Sequence, residues 1–119
     1  MKKTRNFATV AVIGGSGLYS SDAIKAPREL TVKTPFGAHS GPITLGELEG
    51  VPCAFLPRHG RGHVLTPTEI NHRANMWTLK SLGAQRVLAF SAVGSLKEEL
   101  PPRTFVFPDQ LVDRQETVR

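Results

Sequence analysis

The chain has little of what disulfide-stabilised, exported or membrane-spanning proteins need. Cys53 is the only cysteine in 119 residues, so no disulfide can form within the chain, and this fits a reducing compartment. No apolar run approaches the roughly 20 residues that cross a bilayer. The basic N-terminus is followed by a short apolar stretch, 7–13, that runs straight into two glycines without a cleavage site. We therefore expect a cytoplasmic protein with no membrane partner.

Aromatic residues are also scarce, at 7% of the chain, and positive charge is dispersed although the net charge is +5. A basic protein is a candidate for nucleic-acid binding. However, the longest run of positive charge is Lys2-Lys3, and most phenylalanines lie inside apolar segments. We therefore expect no nucleic-acid partner. The excess charge fits either anionic small substrates or the basic half of a larger, more balanced protein.

What the chain does have is the composition of an ordinary globular domain, with 39% hydrophobic and 21% charged residues. Its length suits a single domain over 1–119. The continuous β-branched run at 8–13 predicts a strand buried on both faces, as in a parallel sheet. Segments 43–48 and 51–56, separated by Glu49-Gly50, predict a β-hairpin, and 86–90 predicts another apolar strand.

One helix is predicted with defined ends. Thr66 is the expected N-cap, Pro67 fits the first helical position, and Glu69 completes a capping box. Gly83 fits a left-handed helix terminus. The apolar positions between these ends recur at helical spacing: Ile70, Ala74 and Trp77.

The order strand, helix, strand predicts a right-handed crossover onto a parallel neighbouring strand. Before the hairpin, a short strand is expected at 30–33 and a turn at 34–37. The fold class is therefore α/β, with a mixed, partly parallel central sheet flanked by helices.

Polar or glycine-rich loops follow three of the predicted strands: 14–17, 57–60 and 91–95. Ligands of open α/β sheets bind outside the carboxyl ends of the strands, so these loops are expected to converge. Glycine-rich turns expose backbone N–H groups, and Ser16 and Ser91 offer hydroxyl donors. Arg58 can pair bidentately with phosphate oxygens, and His59 can donate a hydrogen bond, or a charge if protonated. Together they predict a pocket for a compact oxyanion such as phosphate.

Each of these features also has a plain structural interpretation. The glycine turn can be only a turn, and it half-resembles a dinucleotide fingerprint, with Ser20 where the third glycine is required. Arg58 and His59 can form an ordinary surface loop. His63 is expected to be a solvated loop residue, and His72 a structural residue of the helix. Asn71 and Arg73 are expected to form hydrogen bonds at the edge of the core or to lie at an interface, and Asp109 and Asp113 to be surface carboxylates. The convergence of three loops favours the anion site.

Several motifs also resemble one enzyme family in the family's order. They are 13–18 (IGGSGL), 34–37 (TPFG), 58–60 (RHG) with His63, 71–79, 91–96 (SAVGSL) and 108–110. The combination, which runs from about 9 to 114, resembles the purine nucleoside phosphorylases of the methylthioadenosine phosphorylase type. The resemblance implies a nucleoside phosphorylase-like fold and phosphorolysis, in which phosphate displaces the purine of a nucleoside. It implies inorganic phosphate as co-substrate, no other cofactor and no metal.

The resemblance also implies which residues bind substrate. The implied phosphate contacts are Ser16, Arg58, His59, Ser91 and the backbone N–H of Ala92. His63 and Gly94 are implied, more weakly, near the sugar and base. The oxocarbenium-like transition state makes positioned donors more important than a protein nucleophile. No catalytic residue is identified in this chain, because the family's purine-side acid lies in a later segment without a counterpart here.

The resemblance ends after Arg114, and relatives are more than twice as long. We therefore expect an N-terminal part of a phosphorylase domain, apparently truncated after about residue 114 and inactive alone. Its incomplete sheet would expose an apolar face, so a poorly soluble or molten chain is expected. S-methyl-5′-thioadenosine is the favoured substrate. A 6-oxopurine nucleoside such as inosine, or a non-catalytic phosphate- or nucleotide-binding role, remain alternatives. A homotrimer is implied for the full-length family members.

Overall fold

The computed structural model describes residues 6–15, 18 and 22–114, and these form one five-stranded sheet in the order β2-β3-β4-β1-β5. The strands are β1 (Val10–Gly14), β2 (Lys25–Leu30), β3 (Ile43–Leu48), β4 (Val51–Pro57) and β5 (Arg86–Ala89). β1 pairs in parallel with β4 and β5, whereas β3 is antiparallel to β2 and β4. The predicted mixed, partly parallel sheet is confirmed.

The hairpin predicted between 43 and 56 is β3 and β4. Its two turn residues, Glu49 and Gly50, have φ values of 49° and 79°. Two left-handed residues give a two-residue turn the twist that matches its flanking strands. The antiparallel register pairs Leu48 with Val51 directly across this turn.

The strand expected at 30–33 lies earlier in the chain, as β2, so that prediction is wrong in its boundaries. Leu30 pairs with Ile43, the first residue of β3, so residues beyond Leu30 have no strand opposite them. Pro27 lies within β2, which an edge strand tolerates, and the register shifts between Lys25 and Arg28. The turn predicted at 34–37 is present as an isolated bridge between its end residues.

The single helix predicted from Thr66 to Gly83 is in fact two elements. A 3-10 turn over Pro67–Glu69 follows Thr66, whose backbone N–H donates to the Glu69 carboxylate at 2.8 Å. Ile70 is extended, with ψ of 121°, and this ends the turn. The helix α1 (His72–Ser81) begins afresh at Asn71, whose side chain accepts the N–H of Ala74. Two capping residues in succession therefore divide the segment.

The predicted left-handed terminus at Gly83 is confirmed, with φ of 98°. The N–H of Gly83 donates to the carbonyl of Lys80, and the N–H of Ala84 donates to that of Leu79. This pair of bonds is the Schellman pattern that closes a helix. The chain then enters β5, which is parallel to β4 but separated from it by β1. The crossover therefore passes over one strand, and the prediction of an adjacent partner was wrong.

Alternation along β1 and β4 builds a core on each face of the sheet. Ala11, Ala54 and Leu56 pack with Leu79 and Leu82 at the end of α1. The intervening residues form a smaller cluster on the opposite side: Val12, Cys53 and Phe55, with Ile24. Burial raises the pKa of the Cys53 thiol. The predicted two-sided burial of the first strand is thus present in the centre of the sheet.

Packing weakens sharply from β5 onward. All four residues of β5 are exposed, and so is nearly every described residue from Phe90 to Arg114. The exposed apolar side chains include Val93, Leu96, Phe105, Phe107 and Leu111. The expected apolar exposure is therefore present, and its effect on solubility stays a prediction. Among the described residues, no helix has the length and apolarity needed to cross a membrane.

Candidate anion site

The carboxyl ends of β1, β4 and β5 are tied together by backbone hydrogen bonds. The N–H of Arg58, just after β4, donates to the carbonyl of Gly14 at 3.1 Å. The N–H of Phe90, just after β5, donates to the carbonyl of Ile13 at 2.8 Å. Because β1 lies between its two parallel neighbours, the loops that follow β4 and β5 meet across its end.

Arg58 connects these loops through its side chain. Its Nη1 donates to the carbonyl oxygen of Phe90 at 2.8 Å and to the Ser91 hydroxyl at 3.1 Å. Its Nη2 has no hydrogen-bond partner among the described residues. The guanidinium is therefore held in one orientation while donors remain for a planar or tetrahedral anion. Arg58 and Ser91, two predicted phosphate ligands, come together here.

His59 is fixed in one tautomer. Its Nδ1 lies 2.9 Å from the carbonyl oxygen of Leu65, so we assign the proton to Nδ1. The Nε2 atom then accepts from Nε of Arg58 at 3.4 Å. In the neutral form the imidazole therefore orients Arg58, and it donates to an anion from Nε2 only when protonated. Direct phosphate binding by His59 stays a prediction.

The turn that presents Arg58 and His59 needs unusual backbone angles. Gly60 and Gly62 have φ values of 75° and 77°, and His63 has 57°. Left-handed angles are accessible to glycine without steric cost. The ring of His63 stacks on that of His59, with centroids 4.3 Å apart and planes 18° from parallel. His63 therefore lies at the edge of the site against His59.

The remaining predicted ligands are placed less closely. Ala92 follows Ser91 directly and is exposed, as is Gly94, where an added Cβ would meet nothing within 4 Å. Ser16 lies outside the described residues. The site is consequently an open surface at the carboxyl ends of β1, β4 and β5, with Arg58 at its centre. A separate cavity of about 430 Å³ is lined by residues between Thr31 and Pro42, and Arg58, His59 and Ser91 do not line it.

A second arginine in the same turn serves a different purpose. Arg61 donates to the carboxylate of Glu29, and this hydrogen bond raises the pKa of Arg61. Glu29 thereby neutralises Arg61, whereas Arg58 forms no ion pair with any carboxylate within residues 6–15, 18 and 22–114. Positive charge is left available at one position of the turn only.

Sequence reasoning missed the residues whose hydrogen bonds fix the position of this turn. The carbonyls of Gly14, Leu65 and Phe90 fix Arg58 and His59, and no side-chain pattern signals a backbone carbonyl. Ser40 and Asn75 were also missed as a buried pair. Asn75 had a detectable signal, because a polar residue beside Ala74 stands on the face of α1 that carries its buried positions.

This geometry agrees with the family relationship. Residues 9–119 match the Phosphorylase superfamily, and the chain belongs to that family. More particularly, it is similar to S-methyl-5′-thioadenosine phosphorylases. That of Geobacter sulfurreducens is 51% identical over 110 residues, and that of Koribacter versatilis is 55% identical over 107. These alignments cover 92% and 90% of this chain but 38% and 37% of the relatives. The chain thus spans about two fifths of their length.

Solved structures give the same result. A methylthioadenosine phosphorylase from an antarctic soil metagenomic library superposes with a TM-score of 0.77 at 52% identity, covering 82% of this chain and 34% of that one. A methylthioadenosine phosphorylase from Schistosoma mansoni in complex with adenine gives 0.71 at 45% identity, covering 80% and 33%. The described residues therefore form part of the nucleoside phosphorylase fold.

Proposed function

We propose that this chain supplies the phosphate-binding part of an S-methyl-5′-thioadenosine phosphorylase. The observation that carries the proposal is the fixed guanidinium of Arg58, which bonds to Phe90 and Ser91 while its backbone N–H bonds to Gly14. Among the residues that the structure describes, none accepts a hydrogen bond from its Nη2. The similarity of nine tenths of the chain to phosphorylases of this substrate supports the particular activity.

In the proposed reaction, a phosphate oxygen forms a bond to C1′ of the nucleoside as the bond from C1′ to N9 of adenine breaks. The bonding pair leaves with adenine, which gains a proton overall as hydrogen phosphate loses one, and the sugar becomes 5-methylthioribose 1-phosphate. Arg58 and Ser91 hold the phosphate, and its charge stabilises the oxocarbenium-like sugar. Ser16 and the N–H of Ala92 are proposed to complete the phosphate contacts, with His63 and Gly94 nearer the sugar. Phosphate is the only co-substrate the proposal requires.

Phosphate binding is the direct test, with titration of inorganic phosphate into the 119-residue chain followed by amide chemical shifts. Arg58→Ala is expected to weaken binding roughly 10- to 100-fold, the loss of one or two charge-assisted hydrogen bonds. Arg61→Ala is the matched control, because it removes the same charge from the same turn at a residue already paired with Glu29. Equal losses of phosphate affinity in both variants would show that binding depends only on the net charge of the turn.

Activity is tested in a chimera that joins residues 1–114 to the remaining segment of the Geobacter sulfurreducens relative. We expect adenine release from S-methyl-5′-thioadenosine only when phosphate is present, and its loss with Arg58→Ala. A folded chimera that binds phosphate without releasing adenine would favour the non-catalytic alternative. Phosphorolysis of 6-oxopurine nucleosides requires the same phosphate contacts, and the similarity across the chain favours the methylthioadenosine substrate over it.

We propose a homotrimer for the full-length protein.

A further inference from the structure

The turn that carries Arg58 rests directly on the backbone of Ser40 and Gly41. A Cβ placed on Gly60 would lie 2.8 Å from the carbonyl oxygen of Ser40. A Cβ placed on Gly41 would lie 3.1 Å from the ring of Pro57 and 3.4 Å from Cα of Gly60. Two glycines therefore allow the two backbones to approach closely, because a side chain at either position would crowd the other segment.

Ser40 is in turn fixed by Asn75, from the middle of α1. The amide oxygen of Asn75 accepts the backbone N–H of Ser40 at 2.9 Å, and its amide nitrogen donates to the Ser40 hydroxyl at 2.9 Å. Asn75 is 3% exposed and Ser40 8%, so water does not replace either bond. A buried amide that makes both bonds to one residue sets that residue's position and orientation together.

We propose that Asn75 is a positioning residue for the anion site. Its amide fixes Ser40 and Gly41, and their contact with 57–60 fixes the turn that presents Arg58 and His59. The inference rests on the proposed function, because it gives Asn75 a part in phosphate binding without contact to the anion. Donors preorganised by such outer contacts bind more tightly than mobile ones, and losing one typically costs roughly 10- to 100-fold.

Amide hydrogen exchange tests the positioning without any ligand. The reporters in the turn are the N–H groups of Gly60 and Leu65, which donate to Pro57 and His59. The reference is the N–H of Leu82, which donates to Thr78 at the end of α1. In Asn75→Ala, exchange at Gly60 and Leu65 is expected to rise roughly tenfold more than exchange at Leu82, because local release precedes global opening.

Asn71→Ala is the control on the same helix. It removes the cap of α1 and the bond from Asn71 to the Phe36 carbonyl, but it leaves Ser40 untouched. We expect that variant to leave the ratio of turn to helix exchange unchanged. Ser40→Ala keeps the bond from its N–H to Asn75 and loses only the hydroxyl contact, so an intermediate ratio is expected, and it replaces Asn75→Ala if that variant does not fold.

Phosphate titration of the same variants gives the second measurement. Asn75→Ala is expected to weaken phosphate binding roughly tenfold, whereas Asn71→Ala changes it less than twofold. The inference would be overturned if Asn75→Ala raised the exchange rates of Gly60 and Leu82 by the same factor, or if it left phosphate affinity unchanged. It would also be overturned if the N–H of Gly60 were unprotected in the unsubstituted chain. If the unsubstituted chain binds no phosphate, the proposed function fails, and the exchange ratio still decides whether Asn75 holds the turn.

Discussion

Residues 6–85 and 86–114 differ in what covers their apolar side chains. In the first region, Ala11, Ala54, Leu56 and Leu79 are fully buried between the sheet and α1. In the second, Leu96 is entirely exposed and Phe107 is 90% exposed. Both regions contain apolar segments of similar composition, so the difference lies in the packing partners available to each. The described residues of the first region, 6–15, 18 and 22–85, pack on one another, whereas 86–114 contact them mainly through β5 and its pairing with β1.

The contrast also bears on the state of the isolated chain. A molten chain lacks fixed side-chain packing throughout. Two packed clusters in residues 6–85 favour a cooperative unit there, with poor solubility arising from 86–114. The following predictions test this division.

The largest effect is expected in the core of the first region. Leu79→Ala removes a fully buried side chain from the cluster between α1 and the sheet and should lower the free energy of unfolding by about 3–5 kcal/mol. Urea denaturation measures it. Met76→Ala, on the exposed side of the same helix, should change it by less than about 0.5 kcal/mol. Similar values for both variants would mean that α1 is not packed on the sheet.

A smaller loss is expected for Gly60→Ala. The left-handed φ costs about 1–2 kcal/mol for alanine, and the Ser40 carbonyl at 2.8 Å adds overpacking, which gives about 2–4 kcal/mol in total. Gly50→Ala separates the two causes, because Gly50 has a similar φ of 79° and open space around it. Thermal or urea unfolding should therefore show a much larger loss of unfolding free energy for Gly60→Ala than for Gly50→Ala. The reverse order would contradict the close approach of Gly60 to Ser40.

A slight effect of pH is expected at the 3-10 turn. Hydrogen bonds from the Thr66 backbone N–H and hydroxyl lower the pKa of Glu69. A lowered folded pKa stabilises the turn above the ordinary carboxyl pKa, and this stability is lost as pH falls through the lowered value. The Glu69 carboxyl carbon and the Thr66 amide proton should shift together in an NMR titration. Independent midpoints for the two nuclei would contradict the capping contact.

The smallest change in stability is expected in the second region. Phe107→Ser removes an exposed aromatic ring and should alter the free energy of unfolding by less than about 0.5 kcal/mol. It should raise solubility, measured as the precipitation midpoint in polyethylene glycol. Phe107→Leu keeps an apolar side chain and should not. A clear loss of stability in Phe107→Ser would show that 86–114 packs on the sheet in solution.

The predictable parts of the fold were those with local signals. The β-branched run at 8–13, the turn at Glu49-Gly50 and the helix end at Gly83 each depend on residues close in sequence. The boundaries of β2 were missed because they depend on where β3 begins across the sheet. The break at Ile70 was missed because two capping residues, Thr66 and Asn71, compete within six positions of the chain.

The site divides in the same way. Residue chemistry alone pointed to Arg58 and Ser91, and the rule that ligands bind at the carboxyl ends of parallel strands indicated that they meet. The assignment of Nη1 to Phe90 and Ser91, and of the His59 proton to Leu65, required coordinates. So did the contact of Gly60 with Ser40, because residues 20 positions apart give no signal of touching.

The sequence by itself determined β1, the hairpin of β3 and β4, β5, the helix end at Gly83 and the residue types proposed to bind an anion, because backbone preferences and side-chain chemistry are local. Only the tertiary structure decided that β1 separates β4 from β5, that Arg58 bonds to Phe90 and Ser91 while Arg61 is paired with Glu29, and that Asn75 bonds to Ser40 beside the turn. These properties depend on which distant backbone and side-chain groups become neighbours, and long-range packing, not local preference, sets that.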